Sequence, residues 1–383
     1  MQNKDLRICM MNIKDYIANN KDEMNKLHYE LCRIPAPSGH EEKRAEYCKN
    51  WLSARGCQGV YIDSANNVIF PYMCEGSDKI TVIAAHTDTV FPDTEPMEYR
   101  EQDGKIFCPG VGDDTASVAV MLMTAKYCVE NSVKADGGIL FVANSCEEGL
   151  GNLRGTRQLF RDYGGRVEKF ITFDSNINAI CDVCVGSHRY DVEVRTEGGH
   201  SFRDFGNNNA IAVLSRIASK IYEIDVPKLE NSHTTYNVGI ISGGTSVNTI
   251  AENANMLCEY RSDNVECLKI MEEKFMDIFS SFGTDKIKVN VKRIGERPCA
   301  DGLDPKKEKA LADFLVDIIA PIAKREITHE SGSTDCNIPM SLGIPAVCIG
   351  VYYGGGAHTR GEWVIKDSLD MGLEIAIKLV NSL

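Results

Sequence analysis

The chain has 383 residues, with 42 Lys and Arg against 55 Asp and Glu and a formal net charge of -13. That length exceeds one ordinary core and predicts two domains, while 43% hydrophobic and 25% charged residues give a globular balance. An acidic excess with no basic cluster excludes nucleic acid as a partner, and the absence of an apolar run near ~18 residues excludes a membrane span.

The N-terminal stretch, MQNKDLRICMMNIKDYIANNKDEMNKL, is polar and helix-periodic, and does not read as a signal peptide. Fifteen cysteines are spread along the chain. Their number is odd, and residues such as Cys128 in LMTAKYCVE and Cys348 in IPAVCIG sit where a thiol acts as a small hydrophobe. Cys181 and Cys184 have the spacing of a redox or zinc motif, but no second pair follows. A disulfide scaffold is therefore disfavoured, and a reducing, cytoplasmic compartment is expected.

From about residue 65 to 185, short apolar runs alternate with amphipathic stretches. DKITVIAAH and GGILFVANS read as buried strands. DTASVAVMLMTAKYCVEN lies between them and reads as a helix with Val118, Leu122, Ala125 and Val129 on one face. A helix near GNLRGTRQLFRDYG and a strand EKFITFD follow. Strands alternating with helices predict an α/β layer with a largely parallel sheet. The pattern then changes. Strands are predicted at 188–195, 234–242, 254–262 and DKIKVNVKR, and helices at 207–223 and 264–282. That β-α-β-β-α-β order is the split unit of a ferredoxin-like α+β domain. α/β character returns after Ile294, with a helix in ALADFLVDIIAPIA, a strand in IPAVCIG and a closing helix. The expected organisation is one domain built from 1–186 and 294–383, with a second, 187–293, inserted into it.

Chemistry-bearing residues cluster at predicted strand ends. His86 and Asp88, in IAAHTDTV, point to one side if the extended geometry persists. An imidazole can bind a metal while a neighbouring carboxylate fixes its orientation, although His-x-Asp also opens ordinary polar loops. Asp113 and Asp114 follow a glycine turn and precede a helix. One aspartate suffices for an N-cap, and two leave a carboxylate able to bridge two cations. Glu147 and Glu148 end another apolar strand at the edge where open α/β sheets place their sites; a solvated acidic turn is the alternative. Asp174 ends FITFDSN, and His358 follows a glycine run in GGGAHTRGEW. One histidine and several carboxylates from successive strand ends, joined by a second histidine, form the mixed set that divalent metals need.

The motifs His86-Thr87-Asp88, Gly112-Asp113-Asp114, Glu147-Glu148-Gly149, Asp174 and His358-Thr359-x-x-Glu362 resemble those of the co-catalytic dizinc peptidases. That family holds peptidase T, glutamate carboxypeptidase, succinyl-diaminopimelate desuccinylase and the aminoacylases, and the sequence looks most similar to the peptidase T-like branch. The resemblance covers essentially the whole chain. It implies an α/β/α zinc-peptidase catalytic domain whose inserted domain serves as lid and dimerisation unit. It implies one metal on His86, Asp113 and Asp174, a second on Asp113, Glu148 and His358, Asp88 clamping His86, and Glu147 as general base. It also implies a cis peptide between Asp113 and Asp114. Zinc is the expected metal, and cobalt or manganese suits the same ligands.

Two such ions about 3.5–4 Å apart can share and acidify a water, whose proton Glu147 would take and later pass to the leaving amine. His200, in EGGHSFRD, matches the family histidine that reaches the active site, often from a partner subunit. Asn248 and Arg261 match substrate-holding residues, and Arg suits bidentate grip on a carboxylate; a surface salt bridge is the alternative for Arg261. Ser333, Thr334 and Asp335 are candidates to line the pocket, and His233 is assigned no role. Many family members carry Lys or Arg where this chain has Thr115. The resemblance thus implies a homodimeric peptidase of short peptides. N-acyl-amino-acid deacylation is the alternative reaction, and a non-catalytic binder on the same fold the alternative class.

Overall fold

The computed structural model describes residues 12–230 and 232–383. Its central element is an eight-stranded mixed sheet. Ile80–His86 runs in its middle, parallel to Gly138–Asn144 on one side and to Val167–Phe173 on the other. Each of these strands is seven residues long and almost wholly buried, as expected for strands covered on both faces. Ala346–Ile349 continues the sheet parallel to Val167–Phe173. Helices Ile13–Cys32, Thr115–Asn131, Pro305–Ala323 and Ser368–Val380 pack on one face, and Arg154–Tyr163 and Asn337–Ser341 on the other.

One expectation needs revision. Thr115–Asn131 shows one apolar stripe in sequence, yet every residue from Thr115 to Cys128 is buried. It is sandwiched between the sheet and the helices Ile13–Cys32 and Ser368–Val380, so all its faces are covered. A helix in that position gains nothing from a polar side.

Residues Gly186 to Arg297 build the second sheet, in which Asn253–Ser262 and Gly186–Arg195 are central and Thr234–Gly243 and Lys288–Arg297 are edges. All pairings are antiparallel. Helices Ala210–Tyr222 and Val265–Ser281 cover one face through Leu214, Ile217, Met271 and Phe275. The element order is the predicted β-α-β-β-α-β. The last strand runs to Arg297, past residue 293, where the sequence pattern closes the insertion. A small sheet of Arg100–Gln102, Lys105–Phe107, Gly354–Gly355 and Trp363–Ile365 has too short a pattern to be read from sequence. It brings the C-terminal His358 loop against the Gly110–Asp113 turn. Among the described residues every cysteine is buried and free, Cys181 and Cys184 included, in line with their reading as buried thiols.

Candidate metal centre

Three neighbouring parallel strands deliver the acidic and imidazole groups. His86 is the last residue of its strand; Glu147 and Glu148 follow Asn144, and Asp174 follows Phe173. All three ends lie at the carboxyl edge of the sheet, where open α/β folds gather their sites. Asp113 enters from the turn before Thr115–Asn131. That turn needs glycine. Gly110 sits at φ +73°, where a Cβ would come 2.7 Å from Thr89 Cγ2, and a Cβ on Gly112 would come 2.7 Å from the Tyr352 ring. His358 arrives last, itself at φ +63°.

Asp113 lies between the two histidines. Its Oδ1 is 3.1 Å from His86 Nε2 and its Oδ2 is 3.1 Å from His358 Nε2. Asp174 Oδ1 stands 3.8 Å from His86 Nε2, and Glu148 Oε1 3.1 Å from His358 Nε2. Three groups able to hold a metal ion result among the described residues, each with ligand atoms within 4.8 Å of one another: besides His86–Glu147–Glu148 these are the two expected sets, His86–Asp113–Asp174 and Asp113–Glu148–His358. The two expected sets share Asp113 alone, one oxygen turned to each side.

The electrostatics fit cations. Burial would lower the His86 pKa, but Asp114, Asp113, Asp174 and Asp88 around it outweigh this and raise it well above the usual imidazole value. Hydrogen bonds to Asp113 and Glu148 raise His358 to about 10. Burial pushes Asp174 up to about 6, against His86 and with help from Asp113 and Glu148. Carboxylates packed this closely need positive charge between them, and borderline divalent ions accept this mixed N/O donor set.

Polar groups behind these side chains fix them. The Asp88 carboxylate accepts from Ser38 Oγ at 2.6 Å and from the backbone N–H groups of Glu147 and Glu148, both at 2.9 Å. His86 Nδ1 meets the Asp88 backbone carbonyl at 3.1 Å, closer than the 3.6 Å to its carboxylate. Asp88 therefore orients the glutamate pair as much as the histidine. Glu362 is 2% exposed, and its two oxygens accept from the N–H groups of Gly110 at 2.7 Å, Gly112 at 2.8 Å and Asp113 at 2.9 Å. The Asp113–Asp114 peptide is cis, as the resemblance implies. Asp114 makes no side-chain helix cap; it accepts from the His86 N–H at 2.9 Å.

Sequence reading missed two arginines. Arg297, at the end of the last strand of the second sheet, places Nη1 2.9 Å from Glu147 Oε1 and 2.9 Å from the Ser333 carbonyl, and Nη2 on the Glu147 carbonyl. Burial raises Glu147 well above the usual carboxylate range, with Arg297 and His86 opposing and Asp174 and Glu148 adding to the rise. Arg189 donates Nη1 to the Gly149 carbonyl. No local motif marks either residue, since both partners lie far away in sequence.

Of the remaining expected residues, Arg261 and Ser333 line the cavity into which Asp113, Glu147, Glu148, Asp174 and His358 open. Asp335 stands behind it, accepting from Asn144 Nδ2 at 2.5 Å and from Thr156 Oγ1. Thr334 is buried. His200 and Asn248 do not line the cavity within one chain. They meet on a small exposed ribbon where Gly199–His200 pairs Thr249–Ile250 and the Ser201 N–H donates to the Asn248 carbonyl at 3.0 Å. At Thr115 the chain still has a cation nearby. The buried Arg44 reaches its Oγ1 at 3.4 Å and the Thr87 carbonyl at 2.9 Å.

Known proteins are similar to the chain over nearly its whole length. Succinyl-diaminopimelate desuccinylase of Corynebacterium glutamicum is 26% identical over 352 residues, covering 87% of this chain and 89% of the relative. A tripeptidase from Staphylococcus aureus superposes with a TM-score of 0.73 at 21% identity, over 95% of this chain and 99% of the other. The Bacillus subtilis YxeP protein, described as a dinuclear metal binding peptidase, superposes with a TM-score of 0.64 at 14% identity, over 96% and 100%. Residues 82–382 match the model of peptidase family M20/M25/M40. The chain belongs to that family, and is a hydrolase of it.

Proposed function

We propose that the chain is a dizinc metallopeptidase that cleaves amide bonds of short peptides, in the manner of an aminopeptidase or tripeptidase. The position of Asp113 carries this reading, with one carboxylate oxygen 3.1 Å from each of two histidines and a buried glutamate, Glu147, beside them. His86, Asp113 and Asp174 would hold one ion, and Asp113, Glu148 and His358 the other. Bound there, the pair of ions would polarise the amide carbonyl and acidify the attacking water. Glu147 takes the proton of that water and returns it to the leaving nitrogen. Arg297 occupies its Oε1, which leaves Oε2 as the proton acceptor. Asp88 and Glu362 hold the reacting groups in place through backbone N–H groups.

His200 and Asn248 would act from a partner subunit. Phe202 and Phe205, each 89% exposed, and Val247 lie beside them without cover in one chain, which supports a homodimer formed through the second sheet. Free, buried thiols support a reducing, cytoplasmic setting. The likeness to a desuccinylase favours a second reading on the same site, N-acyl-amino-acid deacylation. Metal analysis of the purified protein, paired with a panel of di- and tripeptides and N-acyl amino acids, tests both. Two metal equivalents with peptide cleavage support the first; release of amino acids from the N-acyl compounds alone selects the second. A metal-free protein that cleaves nothing refutes both.

A further inference from the structure

We propose that Asn337 is a positioning residue, whose side-chain amide pins both chain crossings between the two large sheets and, through Arg297, fixes the base Glu147. This rests on the amide-hydrolase reading above. The chain enters the second sheet at Gly186 and leaves it at Arg297, and Arg297 pairs with Ser187. The two crossings therefore run side by side. They also run close together, since a Cβ on Gly186 would come 2.9 Å from the Arg297 carbonyl oxygen. Asn337 opens the short helix Asn337–Ser341 on the main sheet and is wholly buried. Its Nδ2 donates to the Val185 carbonyl at 2.9 Å and to the Pro298 carbonyl at 2.8 Å. Its Oδ1 accepts from the Thr334 N–H at 2.9 Å. Two carbonyls facing Nδ2 and one N–H facing Oδ1 leave the amide a single orientation. Val185 immediately precedes the first strand of the second sheet, and Pro298 immediately follows its last.

The turn that carries Asn337 also holds Arg297. The Ser333 carbonyl accepts from Arg297 Nη1 at 2.9 Å, and the same Nη1 lies 2.9 Å from Glu147 Oε1. Between Ser333 and Asn337 the turn closes on itself. The Asn337 N–H donates to the Thr334 carbonyl at 3.1 Å, and the Cys336 N–H donates to Thr334 Oγ1 at 3.2 Å. Asp335 ties it to the main sheet through Asn144. Residues 333–337 thus grip the outgoing strand on two successive residues, at the Arg297 guanidinium and at the Pro298 carbonyl. Pro298 has no N–H to continue the ladder, so the Asn337 amide takes the chain over where the sheet ends. A side chain that only filled space would need neither donor. Two donors on the two crossings hold the outgoing backbone, and with it the point from which Arg297 reaches Glu147. With Arg297 on Oε1, the carboxylate of the base cannot swing its free oxygen away from the metal ligands.

Two measurements on the metal-loaded protein test this, hydrolysis of short peptides and N-acyl amino acids, and hydrogen exchange. Asn337→Ala should lower kcat about ten- to hundredfold, the scale of a catalytic group misplaced by about 1 Å, with KM and metal content near wild type. Asn337→Ser, whose hydroxyl can keep one of the two carbonyls, should fall between. In an Arg297→Met background the alanine substitution should change kcat by no more than about twofold, because its effect passes through the missing guanidinium. A purely structural role gives the same loss in both backgrounds, and that result would overturn the proposal. Hydrogen exchange needs no turnover. In Asn337→Ala it should quicken about tenfold or more at the amides of residues 185–187 and 297–300, while Ile80–His86 stays as protected as in the wild type. Unchanged exchange at the crossings, wild-type kcat or lost metal in Asn337→Ala would each overturn the inference and leave amide hydrolysis standing. A wild type that cleaves neither class of substrate would remove the hydrolase reading, and this inference with it.

Discussion

Replacing Glu362 tests whether the turn carrying Asp113 is held by a single buried carboxylate. In the wild type three backbone N–H groups, of Gly110, Gly112 and Asp113, end on its two oxygens between 2.7 and 2.9 Å. Burial, with Asp113 adding and the three N–H groups opposing, brings its pKa up to about 7, so measurements at about pH 8 address the ionised form. A hydrogen bond to a charged acceptor contributes about 1.5–3 kcal/mol, and an unpaired buried donor costs about 1–3 kcal/mol. Three bonds on one side chain do not add fully, so Glu362→Ala should destabilise the metal-free protein by about 3–5 kcal/mol. Glu362→Gln should cost less, since its amide oxygen can keep Gly112 and Asp113 while its NH2 group opposes the Gly110 donor. Loosening the turn should also weaken metal binding about 10- to 100-fold, the usual effect of losing a group that orients a ligand. Urea denaturation of the metal-free protein and metal content after dialysis read the two effects. An alanine variant within about 0.5 kcal/mol of wild type, with full metal content, would refute the reasoning.

Glu147→Ala should lower turnover about 10²- to 10⁴-fold with metal content near wild type, and normal turnover would remove it as the base. Chelation should abolish activity and lower Tm; restoring zinc at a hundred times Kd should return about 2.7 kcal/mol per site. A Tm indifferent to chelator would count against both metal groups. Glu308 is buried beneath Ala346, whose N–H it accepts at 3.0 Å. Burial, aided by Asp182, raises its pKa from 4.5 to about 7. Its folded pKa lies above the unfolded one, so its contribution is complete below about pH 4.5 and lost as pH rises through about 7. Glu308→Gln should therefore gain on the wild type by about 1–2 kcal/mol between about pH 5 and pH 8, after discounting for solvent screening. Parallel stability curves for the two proteins would contradict that assignment.

Sequence alone determined what depends on local period and on residue type. Burial on two faces writes continuous apolar runs, and Ile80–His86, Gly138–Asn144 and Val167–Phe173 were legible for that reason. Acids placed at the ends of such runs, together with the glycine turn before Asp113, marked the candidate ligands before any contact was known. Tertiary structure decided everything that joins distant segments. The pairing of Arg297 with Glu147 spans 150 residues, and the grip of Glu362 on the Asp113 turn spans about as much of the chain as lies between their motifs. Neither leaves a periodic trace, because a side chain that reaches across the fold constrains only its own position. The same holds for Arg189 against Gly149 and for Arg44 against Thr115. Position in the fold also set the burial of Thr115 to Cys128 on every face of their helix, where the sequence showed a single stripe. His200 and Asn248 carry the converse lesson. The resemblance, not their residue types, pointed to the site, and within one chain the second sheet holds them on an exposed ribbon away from the metal cavity, because where a loop ends up is set by the elements that carry it.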